Sequence, residues 1–459
     1  MKFQMTLIAA SLGVILSGPV SAEHHKSKHH KKHHAKHEMA ENHGYKDYKD
    51  MGTLPVQPPV CTISPYTVSM DEMTQNVGRA MPNPCNPGWF NRIHVSGGVN
   101  IDTLKFGNRN SDYMGVNYER FSINDAYLNF SADVNDWAKA FVSLSFNTAT
   151  ITDPVVVDND GVGAVSEYSA AYSNNITSGS SSVIQMEQAF VTLGNFNEMP
   201  VFLQLGKQFQ DHSRYMIHPI TRSLTQVMSE TLATSAKLGF MYNGFTGSAS
   251  VFDNPIVKQD ESRKATNYVL ALGYDQNNAD LGFDLGVSYQ RDMIGANDVA
   301  FRVNQIFGII EDGMTGYRTR VASMALYGDV NSGPFSLGAR YTRALDDFNR
   351  LDLPDTLNVD NLAANNFSGA KPWAAGIQAG YDFQAWERSH NVYLGWQGSH
   401  DAVALSLPKS RWLLGWDMKV WDAAHVGIEW DYDSAYSTGR GGSGDNTNLV
   451  SLRAGVQFA

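Results

Sequence analysis

Residues Leu449 to Ala459 read Leu-Val-Ser-Leu-Arg-Ala-Gly-Val-Gln-Phe-Ala. In an extended strand, successive side chains point to opposite faces. Val450, Leu452, Ala454, Val456 and Phe458 therefore share an apolar face, and Ser451, Arg453, Gly455 and Gln457 share a polar one. A strand that is greasy on one side and wet on the other belongs either to a soluble sheet or to the wall of a barrel in an outer membrane. The rest of the chain separates the two.

The same period of two recurs from Trp89 onward. Ile93, Val95, Val99 and Ile101 oppose His94, Ser96, Asn100 and Asp102. Ala126 to Phe130 and Ala140 to Phe146 alternate likewise. Ile184 to Gly194 and Val201 to Phe209 flank the turn Asn195 to Pro200. Further strands are expected at Ser235 to Tyr242, Phe245 to Asp253, Tyr268 to Asp275, Leu281 to Arg291, Val321 to Val330 and Phe335 to Arg343. The series continues with Ala374 to Phe383, Asn391 to Gly398, Arg411 to Val420, His425 to Tyr432 and the terminal strand. The total is about sixteen, an even number as bacterial barrels require.

The connections alternate in length. Asn243-Gly244, Asn277 to Asp280, Asn331-Ser332-Gly333 and Trp421-Asp422 are tight. Ala149 to Ser182, Asp292 to Gly316, Ala344 to Pro372 and Ser434 to Asn448 are long and read as polar loops. Short turns on one rim and long loops on the other belong to outer-membrane barrels. Trp137, Trp386, Trp412, Trp421 and Trp430 fall near strand ends, where interfacial girdles form. Mean hydropathy is -0.30, too polar for a helical membrane bundle but compatible with a barrel that has a polar lumen. The expected fold is thus all-β: a transmembrane antiparallel up-and-down β-barrel of about sixteen strands, spanning residues 89–459. In hydrocarbon no water satisfies a free amide, so the first strand near Ile93 must pair with the last near Val456. A wall this wide encloses a lumen that admits water unless something fills it. A passive pore is the default function.

Ahead of the barrel lie three segments. Residues 1–22 read as a secretory signal: Lys2, an apolar run from Thr6 to Leu16, and Val20-Ser21-Ala22 before the cut. That run is too short to anchor across a bilayer about 30 Å thick. Residues 23–50 are expected to be a disordered tail carrying His24, His25, His29, His30, His33, His34, His37 and His43 among lysines. Such a tail either binds transition metal loosely through neutral imidazoles or is simply solvated. No resident cofactor is required. Residues 51–88 hold Pro55, Pro58, Pro59, Pro65, Pro82, Pro84 and Pro87, and read as a linker or plug-like segment in the periplasm. Cys61 and Cys85 there are expected to form a disulfide in an exported protein, with free thiols or a shared metal as alternatives. The expected location is the outer membrane of a Gram-negative bacterium, with the tail in the periplasm.

The best local candidate for solute contact is Gln208 to Glu230, together with Lys207 just before it. Lys207, His212, Arg214, Tyr215, His218 and Arg222 supply cations and donors there. Folded inward, the stretch would form a constriction; the default alternative is an exterior loop or an ordinary turn. No catalytic constellation or phosphate-cradling glycine motif stands out, so an enzyme is not expected. The net charge is -11, and the leader to Asp50 contributes lysines in excess of acids, so the barrel itself is more acidic still. An acidic wall selects against carboxylate-rich anions unless local basic residues intervene.

The stretch Leu203-Gln204-Leu205-Gly206-Lys207-Gln208-Phe209, continued by Arg214-Tyr215, Pro219-Ile220, Ser223-Leu224-Thr225-Gln226 and Ser229-Glu230-Thr231, resembles the signature region of the LbtU-type siderophore porins. Arg120 to Leu128 resembles that family too, and the likeness runs from about Trp89 to the end. It implies a Gram-negative outer-membrane barrel that imports ferric siderophore without a large plug. No segment resembles a partner-binding box for an energy-transducing protein, which favours diffusion. The partners implied are outer-membrane lipid and lipopolysaccharide, ferric siderophore or another small solute, and the barrel-assembly machinery, with no nucleic acid and with a homo-oligomer left open. Two other functions stay open: general diffusion of other solutes, and a structural or adhesive surface barrel with a plugged lumen.

Overall fold

The computed structural model describes residues 93–107, 118–147, 183–195, 198–215, 219–259, 261–262, 265–277, 281–310, 316–421 and 423–458. The signal, the histidine tail, the Pro-rich segment with Cys61 and Cys85, the whole loop Ala149 to Ser182, and His218 lie outside them.

Sixteen strands follow one another: β1 (Ile93–Gly107), β2 (Tyr118–Asn135), β3 (Ala138–Asn147), β4 (Val183–Leu193), β5 (Val201–Phe209), β6 (Leu232–Tyr242), β7 (Phe245–Phe252) and β8 (Asn267–Asn277). The second half is β9 (Gly282–Gln290), β10 (Ser323–Ser332), β11 (Phe335–Ala344), β12 (Trp373–Ala385), β13 (Arg388–His400), β14 (Ser410–Trp421), β15 (Ala424–Ser434) and β16 (Asn446–Phe458). Each pairs antiparallel with its sequence neighbours, and β1 pairs with β16, so the sheet closes. The seam runs from Gly97 opposite Phe458 to Gly107 opposite Asn448. This is the closure that amides in hydrocarbon demand. Sixteen strands about 4.8 Å apart and tilted by about 40° enclose a backbone ring roughly 30 Å across.

The tight connections gather on one rim. Asn243 and Gly244 both take positive φ, 50° and 79°, as a two-residue hairpin matched to strand twist requires. Trp386 and Glu387 adopt the same left-handed pair, at 51° and 58°, without a glycine. The described long connections, 210–231, 291–322, 345–372 and 435–445, leave the opposite rim.

The two faces of the wall differ as the alternation requires. Leu238, Leu270, Leu272, Leu285, Val287, Leu337, Ile377, Leu394, Leu414, Ile428, Leu452 and Val456 point outward and are exposed. Toward the short-turn rim the outward rows end in Trp137, Tyr242, Phe245, Phe335, Tyr381, Trp386, Trp421 and Phe458. Toward the long-loop rim lie Trp412 and Trp430, completing two girdles. On β12 the outward row from Trp373 to Tyr381 covers roughly 27 Å of strand at about 3.4 Å per residue. Allowing for tilt, that fits an apolar band of about 25 Å. The inner face is polar and buried. An apolar shell outside and carboxylates and guanidiniums inside invert a soluble protein; only a lipid exterior makes that favourable. Leu272→Arg, near mid-strand on the outer face, should cost about 2–4 kcal/mol, read from urea unfolding in lipid vesicles. A loss below about 1 kcal/mol would place Leu272 outside the hydrocarbon.

The expectation of long polar loops requires correction. Asp292 to Gly316 contains an α-helix, and Ala344 to Pro372 a short one. Three helices occur among the described residues: α1 (Leu224–Ser229), α2 (Asn297–Ile310) and α3 (Val359–Ala363). Val299, Val303 and Ile306 of α2 recur at helical spacing on one buried face. They pack with Leu224, Val227 and Met228 of α1 and with Phe348, Leu353, Ala404 and Leu405 into an apolar cluster at the long-loop end. These connections form a second, small hydrophobic core over the barrel mouth.

Candidate functional site

The described residues of the connection from β5 to β6, 210–215 and 219–231, fold into the barrel, so the default reading as an exterior loop is overturned. Two groups of contacts fix its path. In the first, His212 bridges the wall, with Nδ1 3.1 Å from Ser288 Oγ on β9 and Nε2 2.9 Å from Ser323 Oγ on β10. Arg214 pairs with Asp284 of β9. Arg340 of β11 donates from Nε to the Arg214 carbonyl at 2.9 Å and from Nη2 to the Tyr215 carbonyl at 3.0 Å. In the second, the Glu429 carboxylate of β15 accepts from the backbone N–H of Ile220 and of Thr221, both at 2.8 Å. Glu429 also accepts from the Thr221 hydroxyl at 2.8 Å and the Tyr393 hydroxyl at 2.9 Å. Gln397 of β13 accepts from Leu224 N–H at 2.8 Å, Arg411 of β14 donates to the Arg222 carbonyl at 3.2 Å, and Arg453 of β16 donates to that of Ile220 at 3.3 Å. Residues 212–215 therefore touch β9–β11 and residues 220–224 touch β13–β16, so the described parts of the loop are held at two separate stretches of the lumen wall.

Glycines on the inner wall make both anchor points. A Cβ at Gly286 would lie 2.2 Å from the Tyr327 ring, and one at Gly273 would lie 2.9 Å from its hydroxyl. The ring thus lies flat across two bare strands. The Arg214 guanidinium carbon sits 5.0 Å from the centre of that ring and Arg340's sits 5.8 Å away. In the same way Tyr393 covers Gly415, where a Cβ would lie 2.0 Å from the ring, and so presents its hydroxyl to Glu429. Gly286→Val should cost about 1–3 kcal/mol by overpacking, against no measurable change for Gly439→Ala, where nothing lies within 4 Å. Denaturant midpoints of the two variants check this; equal midpoints would mean that Tyr327 does not lie on Gly286.

The structure sorts the sequence candidates. His212, Arg214, Tyr215 and Arg222 converge on the crossing loop. Lys207 does not: it stands in the outward row of β5 with Leu203 and Leu205, and its Nζ donates to the Met186 carbonyl at 2.9 Å. Period two assigns it that face; its charge had suggested the other. Arg222 pairs with Asp298 of α2 at 2.7 Å and with Glu230 at 3.2 Å, tying the loop to the mouth cluster. Burial alone would lower the Arg222 pKa, but Asp298 and Glu230 outweigh it and hold it above the usual value. Burial pushes Asp298 up to about 6 against the pull of Arg222. Burial also holds His212 down at about 3. Free imidazole takes up a proton near pH 6.5 and the folded chain does not, so the contribution of His212 to stability falls as pH drops below about 6.5.

Sequence reasoning missed the wall partners: Asp284, Arg340, Tyr393, Arg411, Glu429 and Arg453. One signal was available. Glu429, Asp431 and Asp433 occupy alternate positions opposite Ile428, Trp430 and Tyr432, so three acids share one face of a single strand.

Beside the loop, a small, partly open recess of about 60 Å³ is lined in part by Asp211, Ser213, Arg214, Thr246, Ser248 and Tyr327. Asp211 pairs with the buried Lys237 at 2.8 Å. Six other arginines among the described residues are also ion-paired: Arg340 to Asp329, Arg411 to Asp433, Arg453 to Asp102, Arg318 to Asp352, Arg320 to Glu261 and Arg440 to Asp355.

A sixteen-strand antiparallel ring with an apolar band, two aromatic girdles and an inward-folded loop defines an outer-membrane β-barrel of the porin type. Solved structures share this fold. An anion-selective porin from Comamonas acidovorans aligns over 80% of this chain and 99% of its own at a TM-score of 0.50 and 11% identity. OprB of Pseudomonas putida aligns over 80% and 94% at a TM-score of 0.54 and 10% identity. By sequence, the chain is similar to a UPF0422 protein of Coxiella burnetii, 22% identical over 343 residues covering 73% of this chain and 64% of that protein. A UPF0422 protein of Legionella pneumophila strain Lens is 24% identical over 301 residues, 60% of this chain and 54% of that protein. The match thus spans only part of these relatives' own length. No family model matches the chain.

Proposed function

We propose that the protein is a passive outer-membrane pore for small solutes and that its cargo is a ferric siderophore that is neutral or cationic. The observation that carries the pore reading is the crossing loop: a polar segment held across a wide lumen at two anchor points narrows it. The charge on the wall supports the choice of cargo. Asp102, Asp133, Asp211, Asp275, Asp284, Asp329, Asp382, Asp417, Glu429, Asp431 and Asp433 face inward, against Lys139, Arg214, Lys237, Arg340, Arg411, Lys419 and Arg453. The excess of carboxylates disfavours a polyanionic chelate. The siderophore itself rests on the resemblance of Leu203 to Thr231, and no named relative adds to it.

Planar-bilayer recording tests both parts. The pore should conduct, pass cations in preference to anions under a salt gradient, and be slowed by a cationic or neutral ferric chelate more than by an anionic one. Deletion of the gene should impair growth on that chelate as sole iron source. A reversal potential of anion sign would overturn the cargo reading, and a silent bilayer would overturn both. The apolar cluster of interlocked loops at the mouth favours a second reading, a surface barrel that binds a neighbouring protein. Silent bilayers combined with loss of cell adhesion on trimming Ala149 to Ser182 would establish that alternative.

A further inference from the structure

The outer surface near the long-loop rim carries two arginines with no acid beside them among the described residues. The lumen-facing Arg214, Arg340, Arg411 and Arg453 each hold a carboxylate. Arg291 and Arg343 instead donate only to backbone carbonyls, Arg291 Nη1 to Thr266 at 3.0 Å and Arg343 Nε to Ala344 at 3.3 Å. Among the described residues no Asp or Glu oxygen lies within ion-pair distance of either.

Register places both on the outside. Arg343 pairs across β11–β12 with Trp373, and across β10–β11 with Met324, which itself pairs with Tyr289 of β9. Arg291 stands two residues beyond Tyr289 on the same face, with its guanidinium 5.8 Å from the centre of the Tyr268 ring. Tyr268 and Tyr289 touch, ring centres 6.0 Å apart. Two strand spacings and two residues of rise separate the arginine Cα atoms by roughly 12 Å. Long, flexible side chains at that spacing can grasp two phosphates of one headgroup or close on one.

We propose that Arg291 and Arg343, with Tyr268, Tyr289 and Trp373 beneath them, bind the phosphates of a phosphorylated glycolipid in the outer leaflet. Charge complementarity carries the proposal. Guanidinium is the group suited to bidentate phosphate contact, and tyrosine and tryptophan rings sit at the headgroup level of a membrane. Long loops face outward in bacterial barrels, so this rim meets the outer leaflet. In a chain of net charge -11, two lipid-side cations that no described acid opposes answer to an anion outside the protein. The site is independent of the cargo: neither arginine faces the lumen.

Native mass spectrometry of the full-length, detergent-purified barrel tests it. The probes are lipid A with both phosphates, its dephosphorylated form, phosphatidylethanolamine and inorganic phosphate. The expected result is retention of phosphorylated lipid A above the other three, falling about ten-fold or more in the R291Q/R343Q variant. Both side chains point away from the strand pairing, and heat-modifiable mobility on gels confirms that the variant folds. Its bilayer conductance should match the parent. Equal retention of the dephosphorylated lipid, unchanged retention by R291Q/R343Q, or displacement of lipid A by equimolar inorganic phosphate would each overturn the proposal.

Discussion

A chain lacking residues 446–458 should fail to form a barrel at all. β16 bonds β15 from Ala424 opposite Val456 to Ser434 opposite Asn446, and bonds β1 along the seam. Removing it bares the N–H and C=O groups of two edges. Each unsatisfied group in hydrocarbon costs several kcal/mol, and a whole stability of about 5–15 kcal/mol cannot carry a strand's worth of them. Refolding into vesicles should yield no heat-modifiable species and no protease-resistant core. A gentler change probes the same seam. A Cβ at Gly97 would lie 2.9 Å from the Phe458 ring and equally close to the Tyr127 carbonyl. Gly97→Val should therefore slow or reduce assembly by disturbing both pairs that β1 makes, with β16 at Phe458 and with β2 at Tyr127. A truncated chain that still conducts would refute closure through β1 and β16.

Glu429→Ala should widen the pore. Four donors converge on that carboxylate, and two are backbone N–H groups of the crossing loop. Without it, Ile220, Thr221 and Tyr393 lose their acceptor in a buried setting, at about 1–3 kcal/mol for each donor left unmet. Water entry relieves that cost most readily if the loop leaves the wall. The barrel should still fold, because no strand pairing depends on Glu429, while single-channel conductance rises by about two-fold or more and its noise grows as the loop moves. Glu429→Gln retains one acceptor oxygen and should fall between. If conductance stays at the parent value in Glu429→Ala, the anchor on β15 is not what holds the constriction.

The wall was legible in the sequence because its physics is local. A strand facing lipid on one side and water on the other must alternate, so Val201 to Phe209 is found at the residues the alternation picks out. The closing partner followed from the requirement that no edge remain. The loop was less legible. Its charges marked Gln208 to Glu230 as a candidate, but the inward path depends on Glu429, Gln397 and Arg453, some two hundred residues away, and no local pattern records such a pairing. Lys207 shows the opposite error: charge was given weight over position, although period two already assigned it to the outer face with Leu205. The helix α2 was readable from Val299, Val303 and Ile306. It was passed over because a long connection between strands was taken to be polar throughout. Tyr327 and Tyr393 needed the inner-wall glycines for their roles, and a glycine in a strand has many readings until its neighbour is known.

The most direct test of the loop across the lumen is a cross-link. Ile220 Cδ1 lies 3.6 Å from where a Cβ at Gly427 would stand. With Cys61 and Cys85 changed to serine, cysteines at positions 220 and 427 should be joined by a short thiol-to-thiol cross-linker in intact outer membranes, as should a seam pair at 101 and 454. A seam pair that is joined while positions 220 and 427 stay apart would leave the barrel closed but its lumen uncrossed, and would contradict the account of how this protein narrows its pore.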